Sequence, residues 1–266
     1  MNLNRLSTLD LSYNQLSGHI PSQISNLTQL SLLDLSSNQL QSPLPSSILE
    51  LNNLEGLYLS SNNLSGTIEW EMFLRLKSLR ILSLSSNRLS LLTNFTVNAS
   101  SHQFDSLRLE SCNLRDFPDF LRNQDQLYTL DLSSNNISGH IPEWLFNLSK
   151  NSLQILNLSH NLLTGFDQRP VVLPWANLFY LDLSFNKLPG PLPFSPTSAI
   201  EIYLVSNNKL SGEIPLSICK LNSLQALDLS NNNFSGKVPQ CLGNFSRDLL
   251  MLNLQNNKFS GSMLNK

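Results

Sequence analysis

One short pattern recurs along this chain and restricts its possible folds more than any other feature. The pattern is L-x-x-L-x-L-x-x-N-x-L, and successive copies start 22 to 26 residues apart. Eleven copies are predicted, starting at Leu6, Leu30, Leu54, Leu79, Phe104, Leu127, Leu153, Leu178, Ile200, Leu224 and Leu249. A short, fixed period indicates a solenoid, in which each unit packs mainly against its two neighbours.

The leucine spacing within each copy predicts a short strand. Leu9 and Leu11 are two residues apart and point to the same side of an extended chain, while Asp10 points to the other side. Stacked copies would pair these strands into one parallel sheet. The predicted fold class is therefore an α/β-type solenoid, a horseshoe or superhelix with a concave parallel β-sheet. Its eleven repeats of about 24 residues would carry loops and short helical turns on the outer face.

The domain organisation expected from this pattern is a single solenoid over residues 1–266, uncapped at both ends. One irregular segment, residues 90–103, lacks the Gly and Pro found at fixed offsets in other copies. Eight of the ten Gly share one offset, which indicates a positive φ or a close backbone approach there. Six Pro recur three residues later, and they predict a segment outside the sheet because Pro cannot donate to a strand ladder.

An Asn recurs where each strand must turn away from the sheet. We predict that these amides are buried and bond the backbone of the loop, which would otherwise lose its partners. Cys112 takes this place in the fifth copy, and we predict a structural thiol there rather than a reactive one. The predicted column is Asn14, Asn38, Asn62, Asn87, Asn135, Asn161, Asn186, Asn208, Asn232 and Asn257.

Composition and motifs argue against several classes of function. Only 14% of residues are charged and the net charge is −2, so no basic surface for nucleic acid is expected. No phosphate-binding loop or nucleophile elbow is found, and the mid-strand Asp residues repeat with the pattern, so we predict no enzyme. No cofactor and no metal site are expected, because the four His are scattered: His19, His102, His140 and His160.

The run L-S-G-x-I-P, at residues 16–21 and 210–215, resembles the plant extracellular subtype of leucine-rich repeat. Residues 111–121, 217–220 and 239–246 resemble segments of plant receptor-like proteins of the fungal-resistance (Cf-like) group. The resemblance implies the ligand-recognition portion of a cell-surface receptor in immune or developmental signalling. Its implied partners are a protein or peptide ligand and a co-receptor kinase, and its implied location is the extracellular side of the plasma membrane.

Three alternatives stay open: the ectodomain of a leucine-rich-repeat receptor kinase, a soluble inhibitor of secreted wall-degrading enzymes, and a non-functional truncated product. Complete members of the resembling group are expected to have a signal peptide, Cys-containing caps, a transmembrane helix and a cytoplasmic tail. This sequence shows none of them, so a fragment of a longer receptor is the expectation.

Two covalent features are predicted on the outer surface. Cys219 and Cys241 fall on neighbouring repeats, and we predict a disulfide between them, as in an oxidising compartment. The sequons that fall on the outer surface or in the irregular segment are the better glycosylation candidates. They are Asn26, Asn94, Asn98, Asn147 and Asn244.

The concave face is the predicted binding surface, because residues there can differ between repeats without disturbing the core. Aromatic residues and Arg contribute most to binding energy, and the departures from Asp and Ser include several of them. Asn157 is a sequon on the same face, and a glycan there would shield it. The predicted ligand-binding residues are Tyr58, Arg80, Arg108, Glu110, Phe179, Tyr180 and Phe185.

Overall fold

A computed structural model describes residues 5–93, 102–167, 172–193, 199–243 and 249–261. The chain divides into two compact units, a first unit of Met1–Asn136 and a second unit of Ile137–Lys266. The single solenoid over residues 1–266 stays a prediction. Each unit is a stack of short parallel strands, which confirms the solenoid class.

The main sheet of the first unit is parallel and pairs each repeat with the next in one register. Leu33 and Leu57 are register partners in adjacent strands, and both are fully buried. The pattern of alternating inward and outward residues is therefore confirmed. The strands are Thr8–Asp10, Leu32–Asp34, Gly56–Tyr58, Ile81–Ser83, Ser106–Arg108 and Thr129–Asp131.

The main sheet of the second unit follows the same plan. Leu181 pairs in register with Tyr203, which occupies the leucine column and is 1% exposed. The Tyr203 hydroxyl donates a 2.6 Å hydrogen bond to the carbonyl of Pro193, so its polar atom is satisfied inside the core. The strands are Ile155–Asn157, Tyr180–Asp182, Ile202–Leu204, Ala226–Asp228 and Met251–Asn253.

A second series of strands lies just after the Asn positions, and the sequence did not predict it. In the first unit its strands are Ser17–Gly18, Gln39–Ser42, Asn63–Glu69 and Arg88–Leu92. In the second unit they are Ser138–Ile141, Leu162–Phe166, Pro189–Gly190, Lys209–Gly212, Asn233–Gly236 and Lys258–Phe259. The recurrent Gly residues lie in or beside these strands. Gly66 has φ +101°, whereas a Cβ at Gly165 would lie 2.9 Å from Nε2 of His140.

The outer side of each unit carries 3₁₀ helices. They are the short helical turns predicted for the outer face, and the described residues contain no α-helix. Only about five residues separate the Pro from the next core Leu, and short segments favour the tighter i→i+3 bonding. Pro45 precedes its helix with φ −71°, which places the recurrent Pro outside the sheet as predicted. The helices are Ser22–Asn26, Ser46–Glu50, Trp70–Arg75, Asp119–Asn123, Glu143–Asn147, Leu216–Lys220 and Gln240–Gly243.

The Asn column forms a hydrogen-bonded ladder between repeats, as predicted, but Asn14 in the first repeat is exposed and bonds the carbonyls of Leu11 and Ser12 in its own repeat. Asn208 is 9% exposed and its Nδ2 donates to the carbonyls of Leu183, Val205 and Ser206 at 2.9, 3.2 and 3.2 Å. Its Oδ1 accepts the backbone N–H of Leu188 at 2.9 Å. One amide therefore satisfies groups of its own repeat and of the preceding one, which ties consecutive repeats together.

The residue before each ladder Asn has a left-handed backbone. His160 has φ 54° and Phe185 has φ 53°, although bulky residues seldom adopt this region. The same conformation recurs at Ser37, Ser61 and Asn231, so the repeat imposes it. This turn was not predicted, and it places one side chain per repeat at the end of each sheet strand.

Candidate ligand-binding face

The recurrent Asp is the last residue of its main-sheet strand and has a structural role. It lies on the exposed side of the sheet, which we call the sheet face. In strand Leu32–Asp34, Asp34 Oδ1 accepts the backbone N–H and the hydroxyl of Ser36 at 2.9 and 2.6 Å. The hydrogen bond from the side chain of Ser12 likewise lowers the pKa of Asp10 below its usual value. Both carboxylates accept hydrogen bonds from a Ser two residues later, which favours a structural role for the column over general acid/base work.

The predicted first-unit residues lie at different positions on that face. Tyr58 and Arg108 end their strands in the same register row, with the intervening strand's Ser83 between them. Arg80 donates from Nε and Nη2 to the two carboxylate oxygens of Asp105 at 2.6 and 2.5 Å, and this bond raises the pKa of Arg80. Glu110 Oε2 accepts a 3.1 Å bond from Ser86, and Arg108 is exposed. The structure thus places these four residues on one sheet without forming one compact cluster.

The predicted second-unit residues all belong to one repeat. Phe179 precedes strand Tyr180–Asp182 and Tyr180 begins it, whereas Phe185 lies beyond its end and is 47% exposed. Phe185 stacks on His160, with ring centroids 4.1 Å apart and an angle of 13° between the rings. The sequence analysis did not include His160 in the binding surface. Its position could have predicted this contact, because His160 and Phe185 each immediately precede a ladder Asn.

A column of apolar residues on the second-unit sheet was also missed. These residues are the first of each main-sheet strand, and the register places them side by side on adjacent strands. Each is half-buried or exposed, and none belongs to the buried leucine columns. We call this column the apolar stripe: Ile155, Tyr180, Ile202, Ala226 and Met251.

The three cysteines form one bonded pair and one buried thiol. The sulfurs of Cys219 and Cys241 are bonded, with Cα atoms 5.7 Å apart, and they join helix Leu216–Lys220 to helix Gln240–Gly243. Cys112 is fully buried, and burial raises the pKa of its thiol to about 12. A thiol so protonated is a poor nucleophile at neutral pH, in agreement with the predicted structural role.

The candidate glycosylation sites that can be described are on the outer surface. Asn26 and Asn147 are exposed, and each ends a 3₁₀ helix. Asn94, Asn98 and Asn244 lie outside the described residues, as does most of the irregular segment. Asn157 is half-buried, and its Oδ1 accepts from the N–H and hydroxyl of Ser159 at 3.1 and 2.7 Å. It therefore takes the place of the structural Asp in its strand.

Within the described ranges, no group of three or more His, Cys, Asp and Glu could hold a metal ion. His140 Nδ1 lies 3.1 Å from Asp167, and His102 Nε2 lies 2.7 Å from the carbonyl of Leu79, so these rings have separate environments. The described part of the chain also lacks a helix long and apolar enough to cross a membrane.

Comparison with known families identifies the repeat. Two models described as leucine-rich repeat match this chain, one over residues 42–89 and 125–188, the other over 5–27, 29–51, 200–221 and 223–245. Together they cover more than half of the sequence. The chain belongs to the leucine-rich-repeat family.

Within that family the chain is similar to plant receptor-like proteins. Receptor-like protein 6 of Arabidopsis thaliana is 42% identical over 200 residues, which are 74% of this chain and 20% of the relative. Receptor-like protein 7 of the same plant is 39% identical over 175 residues, or 66% of this chain and 18% of the relative. This chain thus spans about a fifth of the length of these relatives.

Solved structures with this fold include plant receptor-kinase ectodomains. The Arabidopsis HAESA ectodomain, in complex with an N-terminally extended IDA peptide hormone, has a TM-score of 0.75 at 31% identity, covering 95% of this chain and 42% of that one. The GASSHO1/SCHENGEN3 ectodomain, also from Arabidopsis thaliana, is in complex with CASPARIAN STRIP INTEGRITY FACTOR 2. It has a TM-score of 0.68 at 30% identity, covering 96% and 33%.

Proposed function

We propose that this chain is the ligand-recognition portion of a plant cell-surface receptor-like protein that binds a protein or peptide on its sheet face. Recognition would be reversible binding, with no bond made or broken by the chain. The observation that carries the proposal is the set of aromatic residues on the second-unit face, with Phe179, Tyr180 and Phe185 in one repeat and His160 stacked on Phe185. Aromatic residues are among the types that dominate binding energies, and a rigid sheet holds them in place.

The relatives and neighbours support the same function. The curated relatives described above are receptor-like proteins, and the HAESA ectodomain is in complex with a peptide hormone. A receptor-kinase ectodomain is the second candidate, because the HAESA and GASSHO1/SCHENGEN3 ectodomains belong to receptor kinases. In either case we propose that the parent protein passes its signal, in defence or development, through a co-receptor kinase.

We propose an extracellular location for this part of the parent, at the plasma membrane. The bonded Cys219 and Cys241 support it, because structural disulfides persist in oxidising compartments. The exposed sequons Asn26 and Asn147 also support it. Glycopeptide mass spectrometry of plant-expressed receptor should find glycans at both, and unmodified peptides at both sites would contradict the proposed location.

The binding proposal is tested with a phage-displayed library of 12-residue peptides. Peptides selected on the secreted chain should bind at least about tenfold more weakly to a variant with Phe179→Ala and Tyr180→Ala. Leu216→Ala is the matched control, since Leu216 is 76% exposed on an outer helix of the same unit. Unchanged circular dichroism checks the fold. Equal binding to the aromatic variant and the wild type would refute the proposal.

A further inference from the structure

The second-unit sheet face combines the apolar stripe with charges of a single sign. Four positions of each strand contribute to that face: the residue before the strand, the first and third residues of the strand, and the second residue after the strand. In this unit these positions hold no Lys or Arg, and all of them lie in described ranges. Their charged residues are Asp182, Glu201 and Asp228.

The acidic residues lie on both sides of the stripe. Glu201 precedes strand Ile202–Leu204 and is half-buried, and its Oε2 accepts a 3.0 Å bond from Gln225. Asp228 and Asp182 end their strands on the other side, two residues beyond the stripe. Asp182 is 8% exposed and bonds Ser184, so Glu201 and Asp228 are the more accessible charges. An apolar strip between carboxylates is complementary to apolar side chains accompanied by cations.

The length of the stripe limits the shape of a partner. Its five residues lie on successive strands, and neighbouring strands are about 4.8 Å apart, so the stripe is about 19 Å long. About six residues of extended chain cover that distance, with alternate side chains pointing to opposite faces. A segment crossing the strands could therefore place every second side chain on the stripe. The other side chains point away from the sheet, and Lys or Arg there is long and flexible enough to bend back to the flanking carboxylates.

We infer that the apolar stripe and its acidic flanks bind an extended peptide segment in which apolar residues alternate with Lys or Arg. The inference deepens the proposed function, on which it rests, by naming the chemistry of the ligand. Apolar contact with Tyr180 and Ile202 supplies affinity, and Glu201 with Asp228 selects against anionic segments.

The probes are three capped eight-residue peptides, alternating Leu–Lys, Leu–Glu and Ser–Lys, measured by calorimetry against the full chain. The Leu–Lys peptide should bind at least about tenfold more tightly than either of the others at low salt. Equal binding of the Leu–Glu peptide, or of the Ser–Lys peptide, would overturn the inference.

Matched substitutions distinguish binding at the apolar stripe from nonspecific binding elsewhere on the chain. Ile202→Thr should weaken Leu–Lys binding about tenfold, while Ile81→Thr, at the same strand position in the first unit, should leave it unchanged.

The acidic residues are tested by Glu201→Gln with Asp228→Asn. This double variant should weaken Leu–Lys binding about tenfold at low salt and reduce the salt dependence of that binding. The control is Glu55→Gln with Asp34→Asn. Asn157 already makes this local bond in its own strand, so the Asn variants should fold. Equal losses in the two units would overturn the inference.

The library selection distinguishes the two levels of the proposal. Binders that depend on Tyr180 and are enriched in alternating apolar and basic residues support both. If the binders depend on Tyr180 but are not enriched in Lys or Arg, the proposed function is supported and the inference of a cationic partner is overturned. If the library yields no binder that depends on Phe179 and Tyr180, and the Leu–Lys peptide does not bind, both are refuted.

Discussion

The two units have interiors of the same kind and differ on their exposed faces. Leu57 in the first unit and Leu181 in the second occupy equivalent buried positions, and each unit has its own Asn hydrogen bonds. The first face mixes charges of both signs, including the paired Arg80 and Asp105, whereas the second has an apolar stripe and only acidic charges. The fold therefore depends on the interior columns, while the faces are free to acquire different binding chemistry.

The strongest test of these equivalent interiors removes one ladder amide from each unit. Asn62→Ala and Asn208→Ala should each lower the free energy of unfolding by about 4 kcal/mol, because each removes four hydrogen bonds and leaves one backbone N–H, of Leu40 or Leu188, without its partner. Urea unfolding measures the loss, with exposed Asn151→Ala as the control. A loss in only one unit would show that the two interiors are not equivalent.

The disulfide is a difference between the units that should affect stability. Replacing Cys219 and Cys241 by Ser should lower the free energy of unfolding by about 3 kcal/mol, because a bond between residues 22 apart no longer restricts the unfolded chain. Hydrogen exchange should show the loss in peptides of the second unit and little change in the first. Non-reducing peptide mapping of secreted wild type should recover the linked pair, and free thiols at both positions would contradict the bond.

The buried thiol distinguishes the first unit. Burial raises the pKa of Cys112 to about 12, from 9.0 for an unrestrained thiol, so its stabilising contribution is complete below pH 9 and falls as pH rises toward 12. At pH 10 the wild type should lose about 1.4 kcal/mol more than Cys112→Ala does, relative to pH 8. Denaturant titrations at both pH values measure this difference. Parallel losses in the two proteins would mean that the thiol ionises freely.

The smallest effect is expected at the first-unit ion pair. The side chains of Arg80 and Asp105 are 53% and 36% exposed, so Arg80→Ala should change the free energy of unfolding by less than about 1 kcal/mol. Added salt should reduce the difference further. A larger loss of stability in thermal unfolding would show that this ion pair contributes substantially to the stability of the first unit.

Local spacing explains which parts of the fold could be predicted. The buried leucines, the ladder Asn and the outward Asp hold fixed places within one short motif that recurs every 22 to 26 residues. Cys112 was assigned to the core because it replaces a ladder Asn in register. The lateral strands were missed because Ser17–Gly18 and its equivalents are short and contain Gly, which weakens any strand signal. The left-handed turn was missed because Ser, His, Phe and Asn share that position without a common preference.

By itself the sequence determined the repeat, the two sides of each strand and the family, because these features are encoded within single repeats. Only the tertiary structure decided which exposed side chains meet. His160 and Phe185 are 25 residues apart in the chain and stack because the turn and the strand register bring them together. The apolar stripe likewise exists only once Tyr180 lies beside Ile155 and Ile202. Register between repeats depends on the cooperative packing of whole units, and no single repeat contains that information.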